Sequence, residues 1–204
     1  MNGSSKNVYI LVFDGMADWE PALALCEIKK KDKMDVISVG FSQEPVTTMG
    51  GLKILPDMAL NDAEPEDMAL FILPGGEMWE KEEHPLLQTL LKTFKNAGVP
   101  VAAICGAVLS LARAGILKDT LHTSNYRGYI EGIVPDYAGK KHYVDDRLSV
   151  TDNGVITASG VGYVEFARDI IDLLKIYSPE LTEDWYQLFK YGRITEEYLK
   201  HIKK

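Results

Sequence analysis

Residues 98–117 read GVPVAAICGAVLSLARAGIL, and this stretch decides the predicted fold. The small and branched apolar residues 99–105 predict a buried strand, and residues 106–114 predict a helix that Gly115 ends. A strand that runs directly into a helix is typical of a parallel sheet covered by helices. Cys105 lies at the junction, where a thiol can be either a small buried hydrophobe or a nucleophile on a sharp turn.

The rest of the chain repeats this alternation. Further strands are predicted over residues 7–13, 34–40 and 68–76, and further helices over residues 19–31, 84–96 and 161–176. Residues 45–57 are rich in turn formers and predict short strands at most. Asn153-Gly154 between two apolar runs predicts a hairpin, the one clearly antiparallel part. The pattern predicts a mostly parallel α/β sheet with helices on both faces.

The chain of 204 residues is long enough for one domain. Its character changes after Ser178, so we predict a domain over residues 1–178 and a helical extension over residues 179–204. In the extension, one helical face carries the apolar residues Leu181, Trp185, Leu188 and Phe189. We expect this face to pack on the same domain.

Composition and charge exclude several classes of protein. Hydrophobic residues make up 46% and the net charge is −8, which argues for a packed core and against nucleic acid as a partner. A membrane partner is not expected either, since the chain lacks a polybasic patch and a run of roughly 18 apolar residues. Two cysteines give neither a disulfide framework nor a structural zinc site, so a cytoplasmic location is expected.

The surroundings of Cys105 favour the nucleophile. Ala103 and Ala107 flank it at a distance of two residues, as in the small-x-nucleophile-x-small pattern of a strand-to-helix elbow, where bulky neighbours would clash. The N-terminus of the following helix is expected to favour the thiolate. The alternative, an inert buried thiol, suits Cys26 in the middle of a predicted helix.

Two other segments are expected beside Cys105, because ligands of open parallel sheets bind at the carboxyl ends of the strands. Gly75 and Gly76 can present unblocked backbone N–H groups, and together with the Gly106 N–H they predict an oxyanion hole; a plain turn is the alternative. Glu20 either satisfies the dipole of its helix or, with a pKa raised by burial, bonds to the Cys105 thiol.

These pieces together resemble the DJ-1/PfpI family of the class I glutamine amidotransferase-like superfamily. The matching segments, which span most of residues 7–176, are VYILVFDGMADWEPA, ALFILPGGEMW, VAAICGAVLSLARAGIL and VITASG with EFARDII. The resemblance implies a flavodoxin-like three-layer sandwich, with Cys105 as elbow cysteine and Glu20 as its hydrogen-bonding partner. It also implies that Gly76 and Gly106 supply the oxyanion-hole amides, that the chain forms a homodimer, and that it needs no metal or organic cofactor.

The chain departs from the superfamily in its histidines. Residues 157–166, where amidotransferases carry a His-x-Glu pair, have no histidine, so glutamine hydrolysis is not expected. Gly106 stands where PfpI-type members have a histidine. Where other members place a histidine after the elbow helix, this chain has Asn125, with His122 three residues earlier. Both are candidate catalytic residues, but in an extended segment they face opposite sides. They are therefore not expected to act together, and no histidine is assigned as the general base.

The sequence leaves three hypotheses. The first is a cysteine-dependent hydrolase, peptidase-like or glyoxalase-type enzyme whose partner is a small electrophile or a peptide. The second is a redox or oxidative-stress sensor without turnover, through oxidation of Cys105. The third is a binding domain that keeps the fold without the chemistry.

Overall fold

Residues 6–30 and 34–202 are described by the computed structural model of the chain. The strands in these ranges are β1 (Asn7–Val12), β2 (Val36–Gly40), β3 (Val46–Thr47), β4 (Lys53–Ile54), β5 (Met58–Ala59), β6 (Met68–Leu73), β7 (Val101–Ile104), β8 (Ser149–Asp152) and β9 (Val155–Ala158). The helices are α1 (Trp19–Lys30), α2 (Met78–Lys81), α3 (Pro85–Asn96), α4 (Val108–Arg113), α5 (Tyr129–Ile133), α6 (Tyr163–Leu173), α7 (Pro179–Tyr191) and α8 (Glu196–Ile202). None of these helices combines the length and the apolarity needed to cross a membrane. Lys31, the last residue of the first predicted helix, lies outside the described residues.

Seven strands form one sheet in the order β5-β2-β1-β6-β7-β9-β8. Neighbouring strands are parallel except β8 and β9, which form the predicted hairpin. Asn153 and Gly154 in its turn have φ values of 50° and 71°, as a type I′ turn requires. Across the sheet, five of the parallel strands lie in the order β2-β1-β6-β7-β9. If these five are numbered 1 to 5 along the chain, the order reads 2-1-3-4-5, as in flavodoxin-like folds. The predicted α/β sandwich is confirmed.

Both faces of the sheet are covered by helices. On β1, Tyr9 and Leu11 enter one buried apolar cluster, and Val8 and Ile10 enter the other, because successive side chains of a strand point to opposite faces. The first cluster continues into α3 and α4, and the second into α1, α6 and α7. Strands that are buried on both faces are largely apolar. The strand ends, where the connecting segments begin, are therefore the place where polar functional groups are expected.

A second antiparallel pair corrects one expectation. In β3 and β4, Val46 pairs with Ile54 and Thr47 with Lys53, so the prediction that Asn153-Gly154 marks the one antiparallel part is wrong. Strands of two residues show no alternation that a sequence pattern can register. The short helices α2 and α5 also lie outside the predicted elements, since four or five residues show too little of the 3.6-residue period.

The C-terminal helix α7 lies against α6. Trp185 is fully buried in the same apolar cluster as Phe166 and Ile170 of α6. The helix begins at Pro179, and the Ser178 hydroxyl accepts the N–H of Leu181 as a cap. These contacts place α7 on the α1 and α6 side of the sheet; residues 203–204 lie outside the described residues.

Candidate active site

Three of the predicted site segments lie at one edge of the sheet. β1, β6 and β7 are neighbours and run parallel, so their carboxyl ends meet there. Glu20 lies in the first turn of α1, which follows β1. Gly75 and Gly76 follow β6, and Cys105 follows β7 directly. The strand order reverses between β1 and β6, which is where flavodoxin-like folds bind ligands.

Cys105 has a left-handed backbone with a φ of 58°, which costs an L-residue about 1–2 kcal/mol. It opens a single turn of 3-10 helix, Cys105–Ala107, between β7 and α4. The turn is tightly enclosed, since a Cβ on Gly106 would lie 3.0 Å from the Gly76 carbonyl oxygen and 3.1 Å from Trp79. Such strain persists where surrounding contacts fix it, and here the strained residue lines a pocket.

Glu20 is a buried carboxyl group, with 1% of its surface exposed. Its Oε2 accepts the backbone N–H of Gly75 at 2.5 Å, while Oε1 is buried without a partner of normal hydrogen-bond geometry. Oε1 and the Cys105 Sγ lie 3.2 Å and 3.0 Å from the point where a Cβ of Gly160 would stand. Burial raises the pKa of Glu20 to about 7, against the lowering effect of its contacts with Gly75 and Cys105. The carboxyl group can therefore take or give a proton near neutral pH.

Asn125 is hydrogen-bonded to the thiol. Its Nδ2 donates to the Cys105 Sγ at 3.5 Å, and its Oδ1 accepts the backbone N–H of Gly160 at 3.0 Å. Because a backbone N–H can only donate, the second bond fixes which end of the amide faces the sulfur. The thiol therefore has a neutral donor beside it, which stabilises the thiolate without taking the proton.

The pKa of the Cys105 thiol is raised above its ordinary value. Burial is the main cause and the negative charge of Glu20 the second, while hydrogen bonds from Asn125 and from the Gly106 N–H lower it. The Gly106 N–H at the start of the helix lowers this pKa, as expected for a helix N-terminus, but burial and the charge of Glu20 outweigh it. A base must take the proton, and Glu20 faces it.

The N–H groups beside the thiol differ in their partners. Gly75 donates to Glu20, so its N–H is not free for a ligand. The Gly76 N–H has no partner in the described part of the chain, and the Gly106 N–H acts on the Cys105 sulfur. Gly76 and Gly106, the two predicted donors, are therefore the amides that a developing oxyanion could use.

A cavity of about 130 Å³ opens in front of Cys105. It is roughly the liquid volume of four water molecules, so it suits a small reacting group. Trp19 and Met49 border it and are 49% and 48% exposed. Its lining residues are Ala17, Trp19, Glu20, Met49, Gly76, Glu77, Glu80, Cys105, Gly106 and Tyr129.

Comparison with known families agrees with this geometry. The family model described as the DJ-1/PfpI family matches residues 6–173. The chain belongs to the DJ-1/PfpI family. The match spans all strands of the sheet and ends at the last residue of α6, and it confirms the resemblance read from the sequence.

Known members of the DJ-1/PfpI family are similar along most of this chain. A Bacillus subtilis protein named Uncharacterized protease YoaZ is 37% identical over 196 residues, with 91% of each chain covered. The Caenorhabditis elegans glutathione-independent glyoxalase DJR-1.2 is 32% identical over 183 residues, which cover 88% of this chain and 93% of that protein. The crystal structure of a thiJ/pfpI family protein from Bacillus anthracis has a TM-score of 0.88 at 35% identity and covers 98% of this chain and 96% of its own. Relatives of this DJ-1/PfpI protein thus include some named as enzymes.

His122 lies apart from the thiol in this DJ-1/PfpI protein. The side chain is fully buried, with Nδ1 2.7 Å from the Thr120 carbonyl oxygen and Nε2 bonded to the Tyr137 hydroxyl. Both ring nitrogens are therefore engaged elsewhere, and burial lowers the pKa of His122. Of the two polar candidates from this segment, the structure brings Asn125 to Cys105 and does not bring His122 there.

Three residues at the site were not predicted. The Tyr129 hydroxyl donates to Glu80 Oε1 at 2.8 Å, and both residues line the pocket. Gly160 follows β9 and packs on the Cys105 sulfur. Its position at a strand end is a signal that could have found it. Tyr129 and Glu80 lie on the short helices α5 and α2, which no local pattern marks.

Proposed function

We propose that this chain is a cysteine-dependent enzyme of hydrolase or glyoxalase type that acts on a small amide or reactive carbonyl compound. The observation that carries the proposal is the convergence on Cys105, where Asn125 bonds to Sγ and the buried carboxyl group of Glu20 faces it. A nucleophile, a proton carrier and backbone N–H groups at one pocket are what carbonyl chemistry needs. The relatives named protease and glyoxalase support the same class.

In the proposed reaction, ionised Glu20 takes the thiol proton as Cys105 Sγ bonds to the carbonyl carbon. The π electrons move to the carbonyl oxygen, which the N–H groups of Gly76 and Gly106 stabilise. With an amide, the C–N bond breaks as Glu20 returns the proton to the leaving nitrogen, and water then hydrolyses the thioester. With an α-oxoaldehyde, Glu20 first returns the thiol proton to the aldehyde oxygen, which gives a hemithioacetal. Glu20 then removes the proton from that carbon and delivers it to the neighbouring carbon, while the hydroxyl proton moves to the neighbouring oxygen. Water hydrolyses the resulting thioester to the 2-hydroxy acid and the free thiol. A pKa near 7 suits Glu20 to both transfers.

The test compares the wild-type protein with two cysteine variants. Each is incubated with methylglyoxal and with a panel of small amides and short peptides, and products are measured by chromatography. We expect turnover by wild type, a loss of at least about a hundredfold in Cys105→Ala, and retained turnover in Cys26→Ala, whose thiol is exposed on α1. Equal inertness of wild type and Cys105→Ala over the whole panel would contradict the proposal.

A redox sensor is the second candidate, favoured by one observation. Both nitrogens of His122 are engaged away from the thiol, so His122 does not assist Cys105 in turnover. In this role the Cys105 thiolate attacks a peroxide oxygen, the O–O bond breaks and water leaves after protonation; the sulfur is oxidised to sulfenic acid as the peroxide is reduced. Mass spectrometry after mild peroxide should show oxidation at Cys105 ahead of Cys26, and equal oxidation of the two would exclude this role.

We further propose that the protein forms a homodimer in the cytoplasm. Large apolar side chains on either side of β4 are exposed, namely Leu52 and Leu55 at 63% and 68%, and a second copy would bury them. A nucleophilic thiol also has to stay reduced, which suits the cytoplasm. Analytical ultracentrifugation should show a dimer in wild type and a monomer in Leu52→Lys; a monomer in both would contradict the homodimer.

A further inference from the structure

Glu80 is a carboxylate at the pocket in front of Cys105. It lies on α2 and lines the pocket together with Tyr129, whose hydroxyl donates to Oε1 at 2.8 Å. Tyr129 is 5% exposed, so it holds the carboxylate from a fixed position. No cation forms an ion pair with Glu80 among residues 6–30 and 34–202. Glu80 is exposed to solvent, and the hydrogen bond from Tyr129 holds its carboxylate at the pocket without an ion pair.

A second observation at the same pocket points to a missing ligand. The Oε1 atom of Glu20 lies at the Cys105 end of the pocket. Glu20 is only 1% exposed, and Oε1 has no hydrogen-bond partner of normal geometry. The Cys105 thiol contacts this carboxyl group, but a carboxylate oxygen can accept two hydrogen bonds. A substrate that offers a donor near its reacting carbon would therefore help to satisfy Oε1.

Two wider clefts are linked to the pocket by shared lining residues, and the three together are called the path. A cleft of about 370 Å³ shares Met49 and Glu77 with the Cys105 pocket, and a further cleft of about 520 Å³ shares Asp14, Met78 and Glu82 with the second. The carboxylates that line this path outside Glu20 are Asp14, Glu44, Glu77, Glu80 and Glu82. Its one lining lysine, Lys81, is paired with Glu77 at 2.7 Å.

A cleft lined by one sign of charge concentrates ligands of the opposite sign and can change their association rates by about 10 to 10³. An ordinary solvated helix face would also carry glutamates, but it would not enclose a thiol. Here the path ends at Cys105, and anionic electrophiles would have to approach against several carboxylates.

We propose that the Cys105 pocket selects small electrophiles that carry an ammonium or guanidinium group near the reacting carbon, and that Glu80 reads this charge. The inference rests on the proposed function, since it takes Cys105 as the nucleophile. It adds the substrate class: cationic amides or carbonyl compounds in preference to neutral and anionic ones. Glu80 acts as a specificity determinant, and Tyr129 positions it.

The test uses thiol reagents of equal size and opposite charge, so that it does not depend on turnover. The 2-aminoethyl and 2-sulfonatoethyl methanethiosulfonates each form a disulfide with a thiolate and release methanesulfinate. Rates at Cys105 and at Cys26 are measured in the same protein by mass spectrometry of peptides. At each cysteine, the rate with the cationic reagent is divided by the rate with the anionic reagent. The quotient is this ratio at Cys105 divided by the same ratio at Cys26. It cancels the intrinsic reactivity of the reagents and the effect of the protein's net charge.

We expect this quotient to be about tenfold or more in wild type at low salt and to fall as salt is added. Glu80→Gln should lower it several-fold, and Tyr129→Phe should give an intermediate value. Glu66→Gln is the matched control, since it also removes one negative charge, but from an exposed turn before β6 at the opposite edge of the sheet. The control should leave the quotient unchanged.

The two proposals fail in different ways. A quotient near one in wild type, or a quotient that Glu80→Gln and Glu66→Gln change equally, overturns charge selection. Absence of turnover with every substrate overturns the enzyme proposal, while the quotient still decides whether the pocket selects cations.

Discussion

The side-chain oxygen of Asn125 accepts the backbone N–H of Gly160 at 3.0 Å, and this bond turns the amide nitrogen toward the Cys105 sulfur. Gly160 also leaves room for the thiol, since a Cβ there would lie 3.0 Å from Sγ. The pair thus fixes a neutral donor beside the sulfur. Because an amide does not take up the thiol proton, the proposed reaction assigns proton transfer to Glu20, the carboxyl group that faces Cys105.

Removing this donor should make the thiol harder to ionise. In Asn125→Ala the thiolate loses a hydrogen bond, and in Asn125→Asp a carboxylate replaces the donor, so the pKa of Cys105 should rise from wild type to Asn125→Ala to Asn125→Asp. Loss of a hydrogen bond to a charged group predicts roughly tenfold slower alkylation of Cys105 by iodoacetamide at pH 7. Cys26 in the same samples is the reference, and equal rates in all three proteins would show that Asn125 does not act on the sulfur.

Glu20 should make the protein less stable as the pH rises. Its pKa is about 7 in the folded chain against an ordinary 4.5, so between these values the folded state binds more protons than the unfolded state. The free energy of unfolding should therefore fall by about 3 kcal/mol over this range. Below pH 4.5 this contribution is fully present, and above pH 7 it is lost.

Urea unfolding at a series of pH values measures this effect. The difference between wild type and Glu20→Gln should change by about 3 kcal/mol from pH 4.5 to pH 8, because glutamine cannot ionise. Glu66→Gln, on an exposed turn, should follow the wild-type curve. If the free energy of unfolding changes with pH in the same way for wild type and Glu20→Gln, Glu20 has the same pKa in the folded and unfolded states, which would contradict this prediction.

Gly75 should not tolerate a methyl group. A Cβ there would lie 2.5 Å from Glu20 Oε2 and 2.7 Å from the Cys105 Cβ, so Gly75→Ala should destabilise the fold by about 1–3 kcal/mol and slow Cys105 alkylation. Gly132 in α5 is the matched control, since nothing lies within 4 Å of its Cβ position. Gly132→Ala should stabilise by about 0.5–1 kcal/mol. Equal effects of the two substitutions in urea unfolding would contradict the close packing of Glu20 and Cys105.

The helical extension over residues 179–204 is proposed to be an integral part of the domain. Trp185 is fully buried, whereas Phe189 one turn later is 40% exposed. Trp185→Ala should therefore cost about 3–5 kcal/mol in urea unfolding, and Phe189→Ala should cost clearly less. A wild-type stability of Trp185→Ala would show that the extension folds apart from the domain.

The fold was predictable from the sequence because its long strands are apolar throughout and alternate with helices. The local sequence alone is enough to predict β1, β6 and β7 as strands. Asn153-Gly154 likewise favours a tight hairpin turn whatever surrounds it. The pairing of β3 with β4 was not predictable, since two residues are too few to show a period. The short helices α2 and α5 escaped for the same reason.

The placement of Glu20, Gly76 and Cys105 beside one another was predictable, because it depends on the order of strands and loops along the chain; their catalytic roles stay predictions. The site was not predictable where a distant partner decides. Asn125 is oriented by Gly160, thirty-five residues later, and His122 is turned away by Thr120 and Tyr137. The direction of the Cys105 pKa likewise depends on burial, which no local pattern of residues reports.

The left-handed backbone at Cys105 presents the thiol at the pocket but lowers the stability of the fold. A φ of 58° is unfavourable for any residue with a Cβ, so the chain carries this strain whether or not the thiol reacts. Glycine would relieve it but would remove the proposed nucleophile. A variant that no longer needs the proposed reaction would therefore gain stability by that single replacement, and cysteine at this position is the more costly residue for the fold.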